Sequence, residues 1–471
     1  TQNQSSAASD VYKRQSLIYD IESPNLNNPS GDDIKLEDAS FLNNNLILFG
    51  FRTKKNDLNP KKIIKTSLIA TSAEYIDGKL QLSPFKELLS LNQAKFLGFK
   101  MDKWIKKHES PDKSKVLYVY KTIDEKSNKI ILMFKLFNSK LELIEEFEEI
   151  IDDYNTSSLS GGIDFNKILV DNDGSIYYLS KFNSIISLDA NKGFERWEEK
   201  ITIENMAPEG FIDNINFCFD YKGNVNAFGL YYESKEKKEL LKTVYEGGLA
   251  GIFYLKLDYL TKEILFSKMS RVPDRLKNVF PEQNHDYVEK KDKRLGMNIS
   301  NITLKPLING GLVVTAEDKL NYDRSYYFGD MFIFKMDGNG NLNWSDYFKK
   351  KQMCQYNPVK RIENCTKYFG TLSLVKNNKL YIFYNNYKKN TPATPAKKLH
   401  TITDIAMSRF ARIDIRSFLL ESGKSEEKSL LNGLKTKPPW TTSIFYLSKD
   451  RNSFYTFGQR GKNFKMGEIR L

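Results

Sequence analysis

The chain has 471 residues, 40% of them hydrophobic and 13% aromatic, with three Cys and three His. That apolar content fills a core for one large domain or two to three ordinary ones, which excludes a disordered or fibrous chain. No apolar run approaches the roughly 18 residues of a membrane-spanning helix, so no transmembrane segment is expected. Lys and Arg number 72 against 59 Asp and Glu, a net charge of +13. The lysines alternate with Asn along the whole length and form no Arg-rich block, so a solvated basic surface is expected and no nucleic-acid partner.

The first residues stand apart. Residues 5–15, from Ser5 to Gln15, resemble translated sequencing-adaptor sequence of the kind carried by metagenomic fragments. Residues 1–15 are therefore expected to be an artefactual or disordered tail and are set aside. On that reading the true N-terminus, with any signal peptide, is lost.

Amphipathic helical periodicity is scarce beyond residue 16. The two best stretches, 85–91 and 142–151, are short and also read as strands. Runs of four to eight β-branched and aromatic residues recur instead, punctuated by Asn, Asp, Gly and Lys. Seven hairpins align, at 41–50, 110–120, 168–179, 218–229, 306–315, 373–383 and 445–457. A second pattern follows most of them: apolar-x-apolar-Asp, a turn, then apolar-x-Trp or Phe. Asp189 leads in this way to Trp197, Asp258 to Phe266 and Asp337 to Trp344, with looser copies at 134–137 and 411–414. Each unit is thus a strand, a tight turn, a strand, a variable connection, a strand, a turn and a strand.

A four-stranded antiparallel unit has two faces to bury and cannot do so alone. Repetition at this period points to an all-β fold, a β-propeller of about seven four-stranded blades formed by residues 16–471 as a single domain. A pair of packed β-sandwiches is the alternative. The last unit offers three strands and no fourth. The lone strand at 16–21 is expected to complete it and close the ring, removing two exposed sheet edges.

Connection lengths are polarised. The first-to-second and third-to-fourth turns are mostly short, whereas 52–62, 232–249, 317–329 and 385–404, and the inter-unit segments 269–298 and 348–368, are long. All the long ones leave from one side, which is the side expected to bind something.

Candidate chemistry is sparse. Asp171-Asn172-Asp173-Gly174 has the start of a calcium loop but lacks the later ligands, and Asp337-Gly338-Asn339-Gly340-Asn341 likewise. Both read better as hairpin turns, in which Gly takes the positive φ. No metal or cofactor is expected. His108, His285 and His400 have no partner at ligand or triad spacing, and no catalytic residue nominates itself. The turn at 458–462 carries Arg460, read as structural. Cys218 lies in an alternating run and reads as a buried apolar residue. Cys354 and Cys365, eleven apart in a polar connection, are a possible disulfide in an oxidising compartment.

Several segments resemble a group of exported bacterial β-propeller proteins of unknown function: 97–100 with 110–117, 168–177, 329–337 and 457–461. Each is a blade motif, so the resemblance implies the fold more than any site. The chain departs from it by an insertion at 102–109. The resemblance also implies export, to the periplasm or cell surface.

The function expected from all this is a non-enzymatic, monomeric binding or scaffolding module that meets a protein or glycan partner through its long-connection face. The alternative is a propeller enzyme, a hydrolase or lyase acting on glycan or a related polymer, with paired carboxylates at an axial site.

Overall fold

A computed structural model describes residues 33–43, 45–55, 63–76, 79–92, 105–123, 130–151, 167–179, 184–201, 211–232, 249–277, 299, 301–322, 325–355, 370–387, 389–390, 400, 402–403, 411–429, 440–447, 453–460 and 463–470. They are nearly all β, and the seven expected hairpins are all present. The expected N-terminal closing strand at 16–21 lies outside the described residues, as does the tail at 1–15. The chain divides into two compact units, 1–201 and 202–471.

The first unit holds three sheets. Sheet 1 contains β1 (Asp33–Leu42), β2 (Asn45–Lys55), β3 (Ile63–Ile76), β4 (Lys79–Leu82) and β5 (Lys86–Asn92), the last two sharing the outer flank of β3. Sheet 2 runs β6 (Ile105–Glu109), β7 (Lys115–Ile123), β8 (Ile130–Asn138) and β9 (Leu143–Ile151). Sheet 3 runs β10 (Leu169–Val170), β11 (Ile176–Leu179), β12 (Ser184–Asp189) and β13 (Glu195–Lys200). The two stretches that wavered between helix and strand are thus β5 and β9. The second half of the segment 102–109 is β6, the first strand of its sheet.

The second unit holds sheet 4, of β14 (Phe211–Phe219), β15 (Val225–Tyr232), β16 (Leu249–Leu257) and β17 (Ile264–Arg271), followed by the one-turn helix α1 (Asp274–Lys277). Sheet 5 contains β18 (Thr303–Pro306), β19 (Leu312–Tyr322), β20 (Ser325–Met336), β21 (Leu342–Phe348) and β22 (Gln352–Gln355). Sheet 6 contains β23 (Thr371–Lys376) and β24 (Lys379–Tyr387), then β26 (Ala411–Leu419) and β27 (Ser425–Ser429), while β25 (Ile402–Thr403) joins sheet 5. Sheet 7 has, among the described residues, the three strands β28 (Trp440–Leu447), β29 (Ser453–Arg460) and β30 (Asn463–Arg470).

Within each unit, sheets adjacent in the chain pack face to face, and the two-residue strand period divides the side chains between neighbours. Val116 and Tyr118 of β7 join Phe49 and Leu68 of sheet 1. Leu117 and Val119 of the same strand join Ile176 and Tyr178 of sheet 3. Sheet 5 divides likewise: Val314 and Phe332 pack with Phe228 and Tyr254 of sheet 4, and Val313 and Ile333 with Ile382 and Phe418 of sheet 6. Central strands with both faces covered lose their polar alternation, which is why Val225 to Tyr231 is buried throughout. Fully burying each such large side chain contributes about 1.5–3 kcal/mol. Outer strands carry charge instead, as in the Glu145, Glu146, Glu148 and Glu149 run of β9, which protects an exposed edge from further pairing.

The short turns lie on one edge of each sheet and touch the turns of the neighbouring sheet. Asn43 N donates to Lys113 O at 3.2 Å, and Asp112 N to Asn172 Oδ1 at 3.0 Å. In the second unit, Lys256 Nζ donates to Gly310 O at 3.2 Å, and Trp344 Nε1 to Leu420 O at 2.9 Å. The long connections leave from the opposite edge.

Candidate functional site

The acidic turn residues are accounted for locally. Asp337 Oδ1 accepts the amides of Asn339 and Asn341 at 2.9 and 2.8 Å. Asp171 Oδ1 accepts Asn172 N at 2.6 Å, and Asp173 accepts Ser175 N and Asn191 Nδ2 at 2.7 and 2.8 Å. Gly174 and Gly340 take positive φ at their turns. This is the hairpin chemistry read from the sequence, since these oxygens face donors.

A cluster of buried charge lies at the other edge, between sheets 5 and 6. The connection expected at 317–329 is corrected: β19 and β20 continue as a ladder out to Tyr322 opposite Ser325. The register shifts between Glu317 and Lys319, a bulge that sets Asp318 against Gly329. A Cβ at Gly329 would lie 2.8 Å from Asp318 Oδ2, so a larger residue there would have to displace that carboxylate. Beyond it, β20 exchanges β21 for β22, and β22 pairs in parallel with β25 from the connection of sheet 6. Bulges of this kind redirect side chains.

Under that ladder, Lys350 Nζ is held by Glu317 Oε1, with both side chains 1% exposed. Glu317 Oε2 accepts Asn301 Nδ2 at 2.7 Å. Gln352 Oε1 accepts Lys350 Nζ at 3.1 Å and Gly370 N at 2.9 Å, while its Nε2 donates to Asn385 O at 2.6 Å. One network thus fastens β19 and the exit of sheet 5 to the entry and second strand of sheet 6. Lys350 N also donates to Asp330 Oδ1 at 3.3 Å, whereas Asp330 Oδ2 accepts no hydrogen bond among the described residues. Burial, then the Asp318 charge, pushes the Asp330 carboxyl well above the ordinary range. Burial draws the Lys350 ammonium down, opposed by Glu317.

A second network roots the long connection of sheet 6. Buried Asp414 is held by Arg412 Nε at 2.7 Å and Asn386 Nδ2 at 2.8 Å. Asn386 Oδ1 accepts Asn390 Nδ2 at 2.9 Å. Asn390 in turn bonds both backbone groups of His400, at 2.9 and 2.8 Å. Arg412 Nη2 donates to Asn390 O at 2.6 Å, and the rings of Tyr387 and His400 stack at 5.0 Å. The connection between Asn390 and His400 is therefore drawn together at its base. Asp414 had been expected to open a turn; it sits in mid-strand, and the turn falls at 420–423.

Of the residues singled out in the sequence, Cys354 lies in β22 opposite Tyr326, not in an irregular connection. Cys365, and hence the possible bridge, lies outside the described residues, as does His285. Cys218 is a partly buried free thiol whose pKa burial, then Asp220, raises to about 12. His108 is in β6, and Arg460 ends β29 opposite Asn463. Among the described residues no group of three metal-ligating side chains occurs, and no helix is long and apolar enough to cross a membrane. Glu317, Asp330, Lys350, Gln352 and Asp414 were missed. The available signal was that Glu317 extends the Val313, Thr315 alternation onto the sheet 6 side, where a charge demands a buried partner.

No family model matches the chain, and no curated protein matches it in sequence. Among solved structures it is similar to the polysaccharide lyase Uly1, at TM-score 0.37 and 9% identity over 94% of this chain and 90% of that one. It is also similar to the β-propeller domain of the Trilobed protease from Pyrococcus furiosus, at TM-score 0.36 and 8% identity over 93% and 95%. The Dos1 propeller gives TM-score 0.33 and 9% identity over 89% of each chain.

Proposed function

We propose that the seven sheets are blades of a β-propeller, and that the protein is a non-enzymatic binding or scaffolding module meeting a protein or glycan partner through its long-connection edge. The observation that carries this reading is the parallel pairing of β22 with β25. Two long connections from neighbouring sheets, which could have projected independently, are joined there into one ladder. Their roots rest on the Lys350 and Asp414 networks. A recognition face gains affinity when its contact segments are ordered before binding, because less conformational entropy is lost on association. An exported location is part of the proposal and is supported by the sequence resemblance to exported propellers.

The test replaces 278–298 and 391–399 with short Gly-Ser linkers, leaving α1, Asn390 and His400 in place. Both variants should keep their far-ultraviolet circular dichroism and lose binding on glycan and peptide arrays that the parent chain binds. Turnover of an array substrate, abolished by Asp330→Asn, would sink the reading in favour of an enzyme.

A further inference from the structure

Sheet 1 has a break in one flank. Its third strand, β3, is flanked by β5 from Lys65 to Ala70 and by β4 from Ala73 to Ile76, so Thr71 and Ser72 have no strand partner on that side. The crossing segment closes the gap only in part: Ser83 N donates to Ser72 O at 3.0 Å, Thr71 Oγ1 to Ser83 O at 2.5 Å, and the Ser72 and Ser83 hydroxyls meet at 2.7 Å. Beside this break lies a crevice of about 310 Å³, walled on its far side by the turn at 139–141 of sheet 2.

Its lining has a definite chemistry. Hydroxyls of Ser72, Ser83 and Ser139 and the amide of Asn45 share the wall with the apolar surfaces of Ala73 and Leu141. Ser139 Oγ accepts from Asn43 Nδ2 at 3.0 Å, which leaves its own proton to donate. Two exposed lysines, Lys86 and Lys140, line it too, and no carboxylate does among the described residues. Neighbouring lysines of this unit are neutralised, as Lys65 is by Glu87, Lys107 by Glu109 and Lys135 by Glu146. Lys86 and Lys140 have no ion pair among the described residues.

We propose that this crevice is a second binding site, on the short-turn edge, for an acidic monosaccharide unit. The hydroxyls and Asn45 meet the ring hydroxyls, Ala73 and Leu141 meet the apolar ring face, and Lys86 and Lys140 meet the carboxylate. Concave sites with an apolar wall and a few convergent polar groups suit a ligand of this size. The site does not depend on the long-connection edge.

The probe is glucuronate, titrated into the full chain by isothermal calorimetry and saturation-transfer NMR, beside glucose and inorganic phosphate. Saturable glucuronate binding is expected, about tenfold weaker for glucose, which lacks the charge-assisted bonds, and weaker also for phosphate, which lacks the ring. Lys86→Glu with Lys140→Glu, both exposed and so tolerated by the fold, should abolish it. Ser72→Phe, which fills the crevice from a half-buried position, should do the same with the lysines intact. Phosphate binding as well as glucuronate would overturn the saccharide assignment. No saturable binding, or binding unchanged in the charge-reversed variant, would overturn the site.

Discussion

Glu317 and Lys350 form an ion pair with both side chains 1% exposed, at the seam where sheet 5 meets sheet 6. Removing one member of a buried pair strands the other charge, which costs about 3–5 kcal/mol. Lys350→Met should therefore destabilise the chain by that amount in urea denaturation. Glu317→Leu combined with Lys350→Met should recover most of the loss, because no unpaired charge then remains. A double variant as unstable as the single one would mean that Gln352 and Asn301 need the charges as partners.

Asp330 gives stability a pH dependence of a particular sign. Burial, then the Asp318 charge, raises its carboxyl in the fold, so the folded chain binds a proton more tightly than the unfolded one. The contribution is fully present below the unfolded carboxylate value of about 3.9 and declines as pH rises through the raised folded value, by at most about 1.4 kcal/mol per pH unit. Asp330→Asn keeps an acceptor for Lys350 N and cannot ionise. Denaturation from pH 4 upward should show the parent losing stability relative to this variant. Parallel curves would mean that Asp330 is ionised in the fold.

Gly340 turns between β20 and β21 at φ +84°, and a Cβ there would lie 2.5 Å from Phe266 Cε2 of sheet 4. Gly340→Ala combines left-handed backbone strain with overpacking and should cost about 2–4 kcal/mol. Adding Phe266→Leu should return the steric part and leave the backbone part. Full recovery, or none, would contradict that division.

Asn390 holds the base of the sheet 6 connection through Asn386 and both backbone groups of His400. Asn390→Ala should open that base at a cost of about 1–3 kcal/mol, read as faster amide exchange at His400. Exchange within β24 should change little, since its ladder to β23 and β26 is untouched.

Much of the fold could be read from the chain because the signals are local. Hairpin turns declare themselves through Asp and Gly at fixed offsets, as at Asp171 and Gly174 or Asp337 and Gly340. The central strands do so through uninterrupted apolar runs such as Val225 to Tyr231. Where the reading failed, the deciding partner was distant. Residues 319–322 are polar enough to pass for a loop, and only their ladder with Ser325 to Phe328 makes them strand. Asp414 matched a turn motif by spacing, yet it serves Arg412 and Asn386 in mid-strand.

The amino-acid sequence by itself determined the strand period, the seven hairpins and the side from which long connections leave, since each depends on residues within about one hairpin of one another. Tertiary structure decided which charges lie between sheets. Glu317, Lys350 and Gln352 look like ordinary polar residues until the packing of sheet 6 on sheet 5 removes their water and sets them against one another. It also decided that β22 meets β25, and that the outer flank of β3 breaks at Thr71 and Ser72. Hydrogen-bond partners of that kind are chosen by which backbones come to lie side by side, and no spacing along the chain records the choice.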